Sequence, residues 1–478
     1  MTRTQALALR ILGVFVLLLF LGLTVQAQNP VPFLVQPLIP GAIAPKPPGV
    51  TLAITVNGTG FVPGASVYWN GRPRFTKFVN NSRLIFFILS SDVAAPTTAW
   101  ITVVNPGPGG GASNTLFLPV SQEVRSLSFQ RRDYYVGNMP SFSTAVDVNG
   151  DDVLDLAVPL NDYGEGQVLF LLGNGDGTFR RGYSYEVGWG TDKPIFADFN
   201  RDAVLDCAVG VHSPSAMAVM LGRGDGTFGS PVNYLTGSAP TTDITADFNG
   251  DGKLDLATVD QGSDTLSILL GNGDGSFQPS VLYVVGFPTY LATGDFNRDN
   301  KLDVVVANYG AGAATVVLGN GDGTFRPAVD YAAGGCPGGV QVADFNGDGK
   351  LDVVIANQCE ASVSVLLGVG DGTFREQVKY ATTGGSIRLD IADFNTDGKL
   401  DLVVATYSDT ADVLLGNGDG TFRAPVSFTV AGFPFDVSAY DFNRDGRADI
   451  VTSSYNENSS SVLIAQPAAM PSMAPRSH

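Results

Sequence analysis

From about residue 145 onward the chain repeats one pattern of apolar and polar positions. An Asp-rich stretch leads into a short β-branched run such as DVVVAN or DLVVAT, then a second run such as SVLLG or TVVLG. A Gly-rich turn follows, and after it a stretch such as FRPAVDYAAGG. The apolar runs are short, bounded by Gly and Asp, and lack helical periodicity, which predicts four strands per unit. The Asp motif begins at Asp147, Asp198, Asp247, Asp295, Asp344, Asp393 and Asp441, in steps of 51, 49, 48, 49, 49 and 48 residues. Seven such units predict an all-β fold, a seven-bladed β-propeller over residues 126–466.

The ends of the array predict how it closes. The Gly-rich turn occurs six times, ending at Phe179, Phe228, Phe277, Phe325, Phe374 and Phe422, while the seventh unit stops at SSSVLIAQP without its fourth strand. Each of those Phe residues lies 18 or 19 residues before the next Asp motif, and Phe129 lies 18 before Asp147. The segment around Phe129 is therefore the expected outer strand of the last blade, which removes an open sheet edge.

Ahead of the array, residues 33–120 alternate strand-like runs with Gly/Pro turns and predict a small immunoglobulin-like β-sandwich. The Pro-rich stretch NPVPFLVQPLIPGAIAPKPPG before its main strands reads as extended. Arg3 and Arg10, the apolar run ILGVFVLLLFLGL and the small residues around Val25-Gln26-Ala27 read as a signal peptide over residues 1–27, so the chain is expected to be secreted, periplasmic or displayed at a cell surface. No second long apolar segment follows, so no membrane span is expected after cleavage, and residues 467–478 read as a flexible tail.

Charge narrows the function classes. The formal net charge is −18, and losing Arg3 and Arg10 takes it to −20. Such an acidic chain is a poor partner for nucleic acid and a good one for cations. Two histidines, His212 and His478, weigh against histidine-based zinc or general-base chemistry. Of the three cysteines, Cys336 and Cys359 fall in two loops of one unit and suit a local disulfide, while Cys207 in LDCAVG reads as a buried thiol.

The Asp motifs carry the candidate chemistry. Oxygen-bearing side chains at positions 1, 3, 5 and 9, with a carbonyl expected at position 7, form a loop for a hard cation. The candidate calcium ligands are Asp147, Asn149, Asp151 and Asp155; Asp198, Asn200, Asp202 and Asp206; and Asp247, Asn249, Asp251 and Asp255. The remaining motifs supply Asp295, Asn297, Asp299 and Asp303; Asp344, Asn346, Asp348 and Asp352; Asp393, Asn395, Asp397 and Asp401; and Asp441, Asn443, Asp445 and Asp449. One such motif alone reads equally as an Asx-rich turn that needs no metal; seven in register favour calcium, up to seven ions in a structural role. Position 6 demands a sharp turn and is Gly in four motifs, Asn300 in the fourth, but Asp152 in the first and Ala203 in the second. The first two sites are expected to be the weakest.

With their flanking strands and Gly-rich turns, the seven motifs resemble the FG-GAP (VCBS) repeats of integrin alpha chains and of many exported bacterial proteins. That resemblance implies a seven-bladed propeller whose Asp loops bind calcium. The runs LAITVNGTGFVPGASVYWNG, RLIFFILSSD and WITVVNPGPGGGASNTLFLPV resemble an IPT/TIG domain, which implies a spacer or adhesion module.

Other motifs are weaker. Arg223-Gly224-Asp225 spells an integrin-binding tripeptide, but occupies the turn that reads Asn-Gly-Asp in neighbouring units. There is no Gly-x-Ser-x-Gly elbow or His-Glu-x-x-His helix. The loops opposite the Asp motifs carry Tyr163, Trp189, His212, Phe287, Tyr290, Tyr309, Tyr407, Phe433 and Tyr455 among small polar residues. This face is the expected site of non-catalytic recognition of a glycan or an extracellular protein. The alternative is a polysaccharide-degrading hydrolase or lyase, which a Lys/Tyr pair or a free carboxylate cluster in the central cleft would favour; a purely architectural spacer is a third possibility.

Overall fold

The computed structural model describes residues 28–124, 126–162 and 165–467. The expected signal peptide, Tyr163 and nearly all of the expected tail lie outside the described residues, among which no helix is long and apolar enough to cross a membrane.

The N-terminal unit is two packed antiparallel sheets. Strands Phe33–Ile39, Thr51–Thr59, Arg83–Leu89 and Thr76–Asn80 form one; Arg72–Pro73, Ser66–Trp69, Thr97–Asn105, Gly111–Ala112 and Leu116–Val120 form the other. Alternate residues point inward, so Ile54, Val56, Phe86 and Ile88 meet Val67, Trp69, Ile101 and Val103 in one core. The Pro-rich stretch does more than extend ahead of the sandwich. It supplies an edge strand, with Phe33 opposite Thr59, and an edge is where a strand tolerates proline.

Seven further sheets follow along the chain among the described residues, each with four strands in its hydrogen-bonded path. In the third, Pro240–Ala246 pairs with Asp255–Asp260, that with Thr265–Leu269, and that with Val281–Val284. The two middle strands are buried at every residue, which explains their continuous apolar runs. The fourth strand is mostly exposed and turns one Tyr inward. The expected borrowed strand is present: Phe129–Tyr135 pairs antiparallel with Ser459–Ala465, so one sheet holds both ends of the array. Ser143 Oγ lies 2.7 Å from Ser453 Oγ and joins the first of these sheets to the last.

The Phe that ends each Gly-rich turn locks neighbouring sheets together. Phe325 sits between Phe248 and Tyr283 of the preceding sheet, at ring distances of 5.8 and 5.4 Å. Phe277, Phe374 and Phe422 repeat the arrangement. Edge-to-face aromatic packing at this spacing is worth roughly 0.5–1.5 kcal/mol beyond the area it buries. The turn backbone also reaches across, since Gly323 N–H donates to Phe248 O at 3.3 Å.

Candidate functional site

The seven Asp loops share one hydrogen-bonded plan. The position-1 carboxylate accepts the N–H of positions 5 and 6, as Asp295 does from Asp299 at 3.0 Å and Asn300 at 2.8 Å. The position-3 Asn Oδ1 accepts the position-5 N–H, and the position-5 carboxylate accepts the position-7 N–H. The position-9 Asp is buried and bridges two loops: Asp303 Oδ2 accepts from Phe296 N–H at 2.9 Å and Oδ1 from Gly319 N–H at 2.8 Å. This folding turns positions 4 and 6 into the left-handed region in every motif. Position 6 has φ of 65° at Asp152, 67° at Ala203 and 64° at Asn300, and Gly elsewhere; position 4 holds Arg201, Arg298, Thr396 or Arg444 where it is not Gly. The strain inferred at Ala203 is real, and the second strained position was not evident from the repeat. Ala203→Gly is expected to stabilise the protein by about 1 kcal/mol in urea unfolding, since a left-handed non-Gly residue costs roughly that much.

Charge in these loops is under-compensated. Burial, then the Asp247 and Asp251 charges, pushes Asp255 up to about 8. In the third loop Lys253 Nζ lies 3.0 Å from Asp251 Oδ2, and Lys301, Lys350, Lys399 and Arg447 stand beside the matching Asp in the next four. The first two loops have Val153 and Val204 there, so the loops with Asp152 or Ala203 at position 6 also lack the pair. The donor set suits a hard cation chiefly through the position-5 Asp, whose Oδ2 takes no backbone N–H among the described residues, whereas Asp247 accepts two backbone N–H groups on each oxygen. Among the described residues, however, no three or more His, Cys, Asp or Glu side chains are gathered around a common point as a metal set.

The N-terminal sandwich docks on the Asp-loop end. Val31 N–H donates to Asp247 Oδ2 at 3.0 Å, Thr98 Oγ1 to Asp441 Oδ2 at 2.5 Å, and Thr396 Oγ1 to Gln122 O at 2.6 Å. Phe117 packs edge-on to Tyr440, and Trp100 lies under the Arg444 guanidinium. Nothing in the repeat pattern announces this docking, because the partners are a backbone amide, a hydroxyl and carbonyls in an otherwise ordinary sandwich.

Beneath the sandwich lies a cavity of about 1100 Å³ that extends between the first strands of the repeated sheets. Residues five before each motif start include Lys193, Tyr290, Arg388 and Asp436, and three before are Gln341 and Asp390. Lys193 Nζ donates to Tyr290 OH at 2.9 Å. Arg388 stacks over the rings of Tyr290 and Phe435 and donates to the carbonyls of Gly338 and Ile387. Gln341 Nε2 donates to Asp390 Oδ1 at 3.2 Å, and Asp390 Oδ2 accepts Ala439 N–H. Burial raises Asp436 to about 6 against the pull of Lys193 and Arg388. Tyr290, expected on the outer face, is instead 6% exposed inside this channel, because its strand is the innermost of its sheet and odd offsets before the motif point inward. The charged members of the cluster had a readable signal, since Lys193, Arg388, Asp390 and Asp436 occupy offsets where other units carry Thr242, Ile244 or Ala292.

Nearby, Asp243 is buried and accepts Gly210 N–H at 2.6 Å. Burial, with Asp192 and Asp260 adding, pushes it up to about 8. A folded-state value above the ordinary carboxylate range means that this group's contribution is complete below about pH 4 and is lost as pH climbs towards 8. Asp243→Asn is therefore expected to be more stable than the wild type at pH 9 and to gain much less at pH 4, a differential on the order of a few kcal/mol in urea midpoints.

At the opposite end, Trp189, Phe287 and Tyr407 are 47%, 40% and 44% exposed. Trp189 packs on His212, Phe287 on Tyr309, Tyr407 on Phe433 and Phe435 on Tyr455, so the mouth carries paired rings. His212 Nε2 lies 3.0 Å from Asp192 Oδ2. Cys336 and Cys359 are disulfide-bonded there, with Cα atoms 5.3 Å apart, and Cys207 is a buried free thiol. The Arg223-Gly224-Asp225 turn matches its neighbours: Asp225 Oδ1 accepts Thr227 N–H and Oγ1–H as Asp322 does from Thr324.

Sheets, turns and loops together define a propeller-like repeat protein. Residues 247–306, 295–355, 344–404 and 393–452 match the FG-GAP-like repeat, so the chain carries FG-GAP-like repeats, and the first two motifs lie outside the matched span. No curated protein matches the chain. Among solved structures, an auxiliary nutrient binding protein from Bacteroides ovatus is 11% identical, covering 91% of this chain and 98% of its own with a TM-score of 0.42. The periplasmic gluconolactonase of Pseudomonas aeruginosa is 15% identical, covering 71% and 94% with a TM-score of 0.46. The WD40 domain of Toxoplasma gondii coronin is 12% identical, covering 73% and 89% with a TM-score of 0.48.

Proposed function

We propose that this is an exported, calcium-stabilised recognition protein: a seven-bladed propeller of FG-GAP type capped by an immunoglobulin-like domain of IPT/TIG type, binding a glycan or an extracellular protein without catalysis. The observation that carries the recognition reading is the mouth of paired, half-exposed rings, at the same end as the Cys336–Cys359 bridge. Flat aromatic faces among small polar groups suit sugar rings and protein surfaces. Calcium would be held by the side-chain oxygens at positions 1, 3, 5 and 9, supplying beside the position-5 Asp the positive charge that the first two loops, with Val153 and Val204 at position 7, lack there. A disulfide suits an exported chain.

The Lys193–Tyr290 pair is the feature that favours the catalytic alternative. Its surroundings do not suit a polymer, because the sandwich roofs the cavity. The test is binding of the purified protein to glycan and matrix-protein arrays, with calcium and with chelator. Binding to a defined ligand that Trp189→Ala or Tyr407→Ala abolishes supports the reading; a folded protein silent on both arrays overturns it.

A further inference from the structure

The roofed cavity carries an inference separate from the mouth. At its floor stands Lys193, whose remaining accessible surface faces the cavity. An ammonium has three donors, and only Tyr290 OH accepts one of them among the described residues. Lys193 forms no ion pair among the described residues; Asp390 and Asp436 act on it from longer range and are hydrogen-bonded to Gln341, Ala439 and Ser143. The Tyr290 hydroxyl accepts from Lys193, so its own hydrogen is left to donate, and it too has no acceptor among the described residues. A buried cation with unused donors is costly unless an acceptor occupies the space in front of it.

Apolar surface makes up the greater part of the remaining wall, although the loop carboxylates Asp147, Asp198, Asp247, Asp393 and Asp441 also line it. Ile195, Ile244 and Ala292 line the sides, and Leu34, Leu116 and Phe117 of the sandwich form the roof. Asp390 and Asp436 sit close enough to disfavour a doubly charged head group at Lys193.

We propose that this cavity binds a small monocarboxylate with an apolar body, its carboxylate accepting from Lys193 Nζ and Tyr290 O–H and its hydrocarbon lying under the sandwich. At about 1100 Å³ the cavity is slightly larger than the usual small-molecule site, and a largely apolar wall with placed polar groups is the usual composition of such sites.

The test compares octanoate, octan-1-ol and octyl phosphate by calorimetry on the full mature chain, since the three share a body and differ only in the head. The expected result is octanoate at least about tenfold tighter than either other probe, the share of a hydrogen-bonded charge pair. Lys193→Met should abolish that preference and Tyr290→Phe should reduce it, with thermal unfolding showing both variants folded. Equal affinity for the alcohol or the phosphate, no binding of any probe, or octanoate binding unchanged in Lys193→Met would each overturn the proposal. If Lys193→Met does not fold, the wild-type ratio and the Tyr290→Phe variant decide.

Discussion

Asp303→Ala is expected to destabilise the protein by about 4 kcal/mol, because it removes a carboxylate that ties an Asp loop to a Gly-rich turn. The side chain is fully buried and is the only acceptor found for Phe296 N–H and Gly319 N–H among the described residues. Removing it strands two buried donors at about 1–3 kcal/mol each and leaves a small void. Asp303→Asn keeps the shape and one acceptor oxygen, so about half of that loss is expected. Urea unfolding of both variants in chelator separates this role from any metal. If alanine proved no worse than asparagine, the bridge between the Asp loop and the Gly-rich turn would contribute little, and the loops would depend on something other than their own hydrogen bonds.

Stripping calcium is expected to give the second large effect. A ligand that binds only the folded state adds about 1.4 kcal/mol per site at ten times its dissociation constant, so seven filled sites amount to about 10 kcal/mol. The expected result is a large, calcium-restored drop in the thermal midpoint on chelation, with the first two motifs giving way earliest because Asp152 and Ala203 strain their turns and no Lys pairs with Asp151 or Asp202. A midpoint indifferent to chelator and to added calcium would mean that the loops are self-sufficient Asx turns, held by the backbone N–H groups that already surround Asp147, Asp198 and their counterparts.

Both predictions use features that were legible along the chain. Repeat period, strand pattern and the Phe spacing identified four-stranded units and the lending of Phe129–Tyr135 to the last sheet. The need for positive φ at position 6 followed from the residues there, and so did a place for the Cys336–Cys359 bridge. These are local or periodic properties: a turn's dihedrals and a strand's alternation are set by neighbouring residues, and repetition carries them around the array.

What only the tertiary structure decided was which repeats meet across the channel and what covers them. Lys193 and Tyr290 are 97 residues apart, and Arg388 reaches Tyr290 from another sheet, so no local signal pairs them. Tyr290 moved from the mouth to the interior because the innermost strand faces the axis rather than solvent. The sandwich sits on the Asp-loop end through contacts such as Val31 N–H with Asp247 and Thr98 with Asp441. Such contacts use groups that most residues possess, so they leave no mark in composition or spacing. Periodicity determined the units and the spacing of their carboxylates; long-range packing determined the chamber.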